Sequence, residues 1–295
     1  MTVATATDVR RRVALAMIAL VLGAIAMGAS VIFVRWADVG PYASAFWRVF
    51  LALPFLWAWM RLEDRAEGVV ALFSDRVVML AGLFFTGDLF FWHLAILGTT
   101  VANATFLATT APVWVALGAS AVLSEAVGAR ALVGLALCIL GGVALVGESY
   151  GFVPQRLWGD LYGVATAVFF GAYVLAVRAA RDRHGAAAVM FASTAISSAI
   201  LFLVALMLEP HLLPRSLGGA AALLALALIS QVAGQGLLTV ALGTLPATFS
   251  ALVIFLEALA AAGFGWLLLG EALGLVQLLG GVLILVGIYT ARPRK

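Results

Sequence analysis

The sequence predicts an all-α polytopic membrane protein, with ten transmembrane helices arranged as two inverted five-helix repeats. Three observations predict it: an apolar excess, ten helix-length apolar segments, and a residue pattern that recurs at offsets of 146 and 143 positions. Of 295 residues, 65% are hydrophobic and 11% charged, with mean hydropathy +1.15. Soluble domains are about 45–50% apolar and about 25% charged. A soluble globule of this size cannot bury the surplus, so the surplus faces lipid.

A spanning helix needs about 20 mostly apolar residues. Charged, proline and glycine breaks leave such segments at 13–34, 41–60, 76–97, 101–123, 128–147, 157–178, 186–208, 217–241, 245–269 and 272–291. The first follows Arg10, Arg11 and Arg12 and is too long for the apolar core of a signal peptide, so it reads as a retained helix. The second contains LALPFLWAWM, which does not alternate as a barrel strand would. The fourth carries Pro112, which predicts a kink. Residues 148–156 link the fifth and sixth segments, and 1–12 and 292–295 are tails.

Arginine and lysine placement orients the chain. With the N-terminus inside, the inner segments hold Arg10, Arg11, Arg12, Arg61, Arg65, Arg76, Arg130, Arg178, Arg181, Arg183, Arg292, Arg294 and Lys295. The outer loops hold Arg35, Arg156 and Arg215. That bias places both termini in the cytoplasm and the chain in a cell inner membrane. The same placement makes the net charge of +3 a topology signal rather than a nucleic-acid face. Cys138 is the single cysteine, so no intrachain disulfide forms.

The halves resemble each other. Glu125, Gly128, Gly134 and Gly141 share their spacing with Glu271, Gly274, Gly280 and Gly287, 146 residues on. GASVIFVRW from Gly28 matches GAYVLAVRA from Gly171 at Gly, Ala, Val, Val and Arg, offset by 143. Ala104-Thr105-Phe106 recurs as Ala247-Thr248-Phe249 at that second offset. A three-residue length difference between Phe106 and Glu125 reconciles the two offsets. Five helices per half is an odd number, so the halves run in opposite orientations. Inverted repeats with a site at their interface are a recurring plan of secondary transporters.

At these motifs the chain resembles the drug/metabolite transporter superfamily, and within it the EamA-type exporters. The likeness covers the chain as two units, 13–147 and 157–291. The first carries APVWVALGASAVLSEAVGARALVGLALCILGG from Ala111 and the second LEALAAAGFGWLLLGEALGLVQLLGGVLILVG from Leu256. Ala258 replaces the proline expected in the second unit, which removes the expected reason for a kink there. Arg48 also matches an arginine common in the family. The resemblance is greatest to bacterial aromatic amino acid exporters. It implies export of amino acids, aromatic and other neutral ones, or related small metabolites by alternating access. Nucleotide-type, vitamin or drug-like solutes are the alternative class.

Three charged residues lie deep in helices: Arg48, Asp88 and Glu257. Such groups are costly in lipid and face a cavity or a partner. At about 1.5 Å rise per residue, Arg48 lies roughly 10 Å and Asp88 roughly 14 Å from the outer ends of their helices. Two readings follow: a structural Arg48–Asp88 pair, or Arg48 for a substrate carboxylate with Asp88 for an ammonium group or a proton. Glu257 sits near the midplane, as a substrate or proton contact or a hydrogen-bonded structural group. His93 follows Asp88 by five residues, which favours an interhelical hydrogen bond over a shared face.

Gln231, Gln235 and Thr239 make a polar stripe that faces protein or water. Tyr162, Thr166 and Tyr173 make a looser one. Trp47, Trp92 and Trp114 lie within helices and offer flat faces for stacking, or plain packing. Asn103 is a further lining candidate, or a local cap. Pro112 is the gating candidate. Gly141-Gly142 and Gly280-Gly281 allow close helix approach, and Glu125 and Glu271 read as turn residues. No cofactor is implied. No metal is implied either, because His93, His184 and His211 lie on different segments. The expected partners are a small-molecule substrate and the bilayer, and a monomer is compatible with the sequence.

The sequence lacks H-E-x-x-H, G-x-S-x-G and P-loop motifs, and Asp88 is the single deep aspartate, so intramembrane protease and ATP-driven chemistry are not predicted. A scaffold needs no polar interior shared by several helices.

Overall fold

A computed structural model describes residues 6–63, 68–99, 101–146, 154–270 and 273–293. Arg65, residues 148–153 of the linker, Glu271, Arg294, Lys295 and the side chain of Asn103 lie outside the described residues. Every regular element among the described residues is helical.

Eight helices are long and apolar enough to cross a membrane, and two shorter apolar helices accompany them. In chain order they are α1 (Thr7–Trp36), α2 (Pro41–Leu62), α3 (Arg76–Ala95), α4 (Ala104–Leu123), α5 (Ala129–Leu145), α6 (Leu157–Ala180), α7 (Ala186–Leu208), α8 (Leu217–Leu242), α9 (Ala247–Leu268) and α10 (Leu275–Ala291). The short pair is α5 and α10. Each starts just after a glycine, Gly128 or Gly274, and α10 stops before Pro293, but their apolar runs are brief.

Several helices are interrupted. In α4, Val101–Ala108 gives way to Ala111–Leu123 at Thr109-Thr110, with Pro112 in the first turn of the second piece, where its missing N–H costs nothing. In α9, Ala247–Val253 gives way to Phe255–Leu269 at Ile254. The α9 break is a correction, because it forms without a proline. Successive i→i+3 bonds, Ile254 N to Ala251 O and Glu257 N to Ile254 O, tighten the chain there instead. The centre of α8, Leu226–Gln235, is a π-helix.

Glycines set the closest approaches. A Cβ on Gly134 would meet Ala291 Cβ at 2.7 Å, and one on Gly287 would meet Gly134 O at 2.7 Å. Gly141 and Gly280 face each other in the same way, each 2.6 Å from the other's carbonyl oxygen on adding a Cβ. Adding 146 turns Gly134 into Gly280 and Gly141 into Gly287, so the α5–α10 seam makes the same contact twice. Gly28 of α1 would meet Glu257 O and Ala260 Cβ, while Gly171 of α6 would meet Ala111 O and Trp114 Cβ. Gly28 and Gly171 differ by 143, and their partners differ by 146. The two offsets therefore meet between Phe106 and Ala111.

Other contacts recur similarly. α3 packs on α6 and α7, as α8 packs on α1 and α2, and α6 packs on α4 as α1 packs on α9. Glu63, just after α2, accepts from the Ala186 and Ala187 N–H groups that open α7, each at 3.0 Å. Glu209, just after α7, accepts from Tyr42 N at the start of α2 at 2.9 Å. These carboxylates satisfy helix N-termini that have no intrahelical acceptor and sit at the positive end of the helix dipole.

Candidate functional site

Between α1, α2, α3, α4, α6, α8 and α9 lies a cavity. Its wall is mixed. Arg48, Asp88 and Glu257 supply charge, Ser30, Thr105, Thr109, Thr166 and Gln235 supply hydrogen-bonding groups, and Trp92, Phe170, Met27 and Pro112 supply apolar surface. Arg48, Asp88, Trp92, Thr166, Gln235, Glu257 and Pro112, seven of the residues singled out from sequence, are thus brought to one space.

The local fold explains how. α2 begins at Pro41 and places Arg48 two turns in, on the buried face that also carries Ala45 and Val49. Its Nε donates to Gln231 Oε1 at 3.2 Å, and its guanidinium carbon lies 6.0 Å from the Phe85 ring centre. Gln231 Nε2 donates on to Thr194 Oγ1 at 3.2 Å. Among the described residues no ion pair joins Arg48 to Asp88, which corrects the structural pairing read from their depths. Axial rise gives height in the membrane but not the direction each side chain takes around its helix.

Other candidates sit behind the wall. Gln231 is fully buried and supports Arg48 without lining the cavity. Trp47 lies toward the end of the bundle and donates from Nε1 to Leu212 O at 2.6 Å. Tyr173 is buried, stacked on Phe85 at 4.8 Å, with its hydroxyl 3.7 Å from Met190 Sδ. His93 is buried with Nδ1 against Leu89 O, one turn back on its own helix, so it makes a local bond instead of the expected interhelical one. The stripe on α8 also divides. Gln235 reaches the cavity, whereas Thr239 donates back to Gln235 O at 2.9 Å. A mixed π and α path does not keep three residues on one line.

The sequence reading passed over Ser30, Thr105 and Thr109. Signals existed for two: Ser30 lies in the recurring GASV stretch and Thr105 in the recurring Ala-Thr-Phe triplet. Thr109 donates to Phe106 O at 2.7 Å, which lets a hydroxyl sit in an apolar helix without announcing itself. Two buried polar atoms of the wall, Thr166 Oγ1 and Gln235 Oε1, have no hydrogen-bond partner among the described residues. Buried polar groups are nearly always paired, so these acceptors are suited to a bound solute or water.

At opposite ends of the bundle different groups meet. At one end, Asp38 accepts from Arg215 N at 3.0 Å and Thr99 donates to Asp160 Oδ1 at 2.7 Å. At the other, Asp75 binds Arg183 at 3.0 Å and His184 at 2.9 Å, while Glu125 lies 3.5 Å from Arg178 and accepts from Ala247 N at 2.9 Å. Arg61, Arg76, Arg130 and Arg292 lie at this second, arginine-rich end, at the helix ends that meet there.

Comparison with known proteins gives consistent matches. The model of the EamA-like transporter family matches residues 14–147 and again 157–292. The pseudopaline exporter CntI of Pseudomonas aeruginosa is 29% identical over 229 residues, covering 77% of this chain and 79% of its own. An uncharacterized transporter of Archaeoglobus fulgidus is 26% identical over 277 residues, covering 92% and 94%. A crystal structure of a protein 18% identical in sequence superposes with a TM-score of 0.79 over 96% of both chains, which shows a shared fold.

Proposed function

We propose that this chain, which belongs to the EamA-like transporter family, exports small zwitterionic solutes, with neutral and aromatic amino acids as the first substrate class. It is a multi-pass membrane transporter and not an enzyme. The observation that carries the substrate reading is the convergence of Arg48, Asp88 and Glu257, from three helices, on one cavity. Arg48 takes the carboxylate, a charge-assisted contact that is strong away from water. Asp88 or Glu257 takes the ammonium group or a proton, and Trp92 and Phe170 face the side chain.

The reading includes ten spans, cytoplasmic termini and units at 13–147 and 157–291 in opposite orientation. α10, with 17 residues, rises about 26 Å, near the lower limit for crossing a bilayer. The duplicated glycine contacts and the reciprocal caps of Glu63 and Glu209 support two inverted halves. The arginine-rich end faces the cytoplasm on this reading.

Alternating access draws support from an asymmetry between matched segments. Residues 247–251 are all buried, whereas of 104–108 only Ala104 is. One segment is packed shut at the arginine-rich end while its counterpart borders the cavity nearer the other end. Exchange of these two environments moves the cavity from one side to the other. The relative named as an exporter supports outward movement.

The test is efflux of a panel of labelled solutes from proteoliposomes. The panel holds neutral and aromatic amino acids, their carboxyl-amidated forms and pseudopaline. Free amino acids should exchange and amidated ones should not. Equal transport of both forms would remove the role given to Arg48.

A further inference from the structure

A second cleft opens at the arginine-rich end between α4, α5, α6, α9 and α10. Arg130, Arg178 and Arg292 line it, with Glu125 the one carboxylate among the described residues. Arg178 is held by Glu125 and Asp182, whereas Arg130 and Arg292 are exposed at the start of α5 and the end of α10. The cleft has a surplus of positive charge aimed at the same class of group that Arg48 suits.

Its floor is the first turn of α9. Thr248 and Phe249 line the cleft, and Ile254, six residues on, lines the central cavity together with Glu257. About 9 Å of helix therefore separates the two spaces. The partition is dense: Ser250, Ala251, Leu252 and Val253 are buried. Ser250 Oγ has no hydrogen-bond partner among the described residues. A hydroxyl unpaired in a dry partition is unfavourable, and wetting the segment relieves it.

The segment is also built to move. Pro246, with extended backbone (ψ 142°), precedes it and the Ile254 break follows it. One side-chain latch holds its start: the Glu125 carboxylate accepts from Ala247 N at 2.9 and 3.3 Å. Its counterpart, 104–108, already borders the central cavity.

We propose that the arginine cleft is a loading site for the carboxylate of the transported solute, and that Ala247–Val253 is the gate between it and the central cavity, latched by Glu125. This rests on the central cavity being the transport site. The cleft lies off that site, on the far side of a closed partition, and binds solute before the gate moves.

The test uses the full chain in proteoliposomes, with Cys138→Ser and Ser250→Cys so that the introduced thiol is alone. A membrane-impermeant maleimide is applied to each side in turn. Labelling should be slow, confined to the arginine-rich side, and about tenfold faster with Glu125→Gln. Ala247→Pro removes the latched N–H while leaving Glu125 and Arg178 in place, and proline is tolerated at a helix start. It should give the same acceleration. Joint Arg130→Gln and Arg292→Gln should raise the KM for solute presented from that side about fivefold. Labelling unchanged by both latch variants, or equal from both sides, would overturn the gate. An unaltered KM would overturn the loading site. Labelling needs no solute, so a failed gate is distinguished from a failed central site, which would show as no transport by the unmodified protein.

Discussion

Arg48 on α2 reaches Gln231 on α8, with 3.2 Å between Nε and Oε1, while Asp88 on α3 faces the same cavity from another side. The guanidinium is thus steadied by a neutral amide and keeps its charge for an anion. A carboxylate in Gln231's place would neutralise it.

Gln231→Leu removes this support. A hydrogen bond to a charged group contributes about 1.5–3 kcal/mol, equivalent to roughly 10–100-fold in affinity. The variant should fold and reach the membrane, yet show a KM raised at least about tenfold. The concentration dependence of efflux checks this.

The glycine seam makes a symmetric prediction. Gly280→Val and Gly134→Val each drive a side chain into backbone across the α5–α10 contact. Both should lower the unfolding temperature in detergent by similar amounts, several degrees or more, as overpacking costs about 1–3 kcal/mol. Gly263→Ala meets nothing within 4 Å and should leave it unchanged. Fluorescence-detected unfolding curves make the comparison.

Asp75 carries a pH prediction. Partial burial pushes its carboxyl upward, but the His184 hydrogen bond, the Val77 N–H and the Arg183 charge outweigh that and hold it below the ordinary value of 3.8. A carboxylate depressed in the folded state stabilises fully above its unfolded value, and the benefit is lost as pH falls through the folded one. Acid unfolding below about pH 4 should therefore include an Asp75 contribution. Asp75→Asn should be less stable near neutrality and less sensitive to acid. Unfolding temperatures measured from pH 7 down to pH 3 test it.

What the sequence disclosed follows from what each signal measures. Apolar length and arginine placement report the solvent around the chain, so the helices and their punctuation were legible. The duplicated glycines reported backbone contact, since only a missing Cβ permits it, and Gly134, Gly141, Gly280 and Gly287 meet accordingly. Depth placed Arg48 and Asp88 at similar levels but gave no angle around the axis, so a pairing of the two stayed open beside the substrate-binding reading, and the bond from Arg48 to Gln231 was not foreseen. The π-helix of α8 ends at Gln235 and changes the residues per turn between Gln231 and Gln235, of which Gln235 alone lines the cavity. Thr109 was missed because its hydroxyl is turned onto Phe106 O of its own helix, and Thr105 lay in a triplet that reported only the repeat. Tyr173 and His93 were polar candidates whose needs are met, or left unmet, behind the cavity wall.

The measurement closest to the central claim is counterflow. Proteoliposomes loaded with unlabelled neutral amino acid are diluted into a trace of labelled amino acid, for the unmodified chain and for Arg48→Ala and Glu257→Gln. Transient accumulation of label well above empty liposomes, abolished by Arg48→Ala and at least tenfold slower with Glu257→Gln, is the predicted result. Accumulation that is the same in all three proteins, with each shown to be folded, would contradict the account.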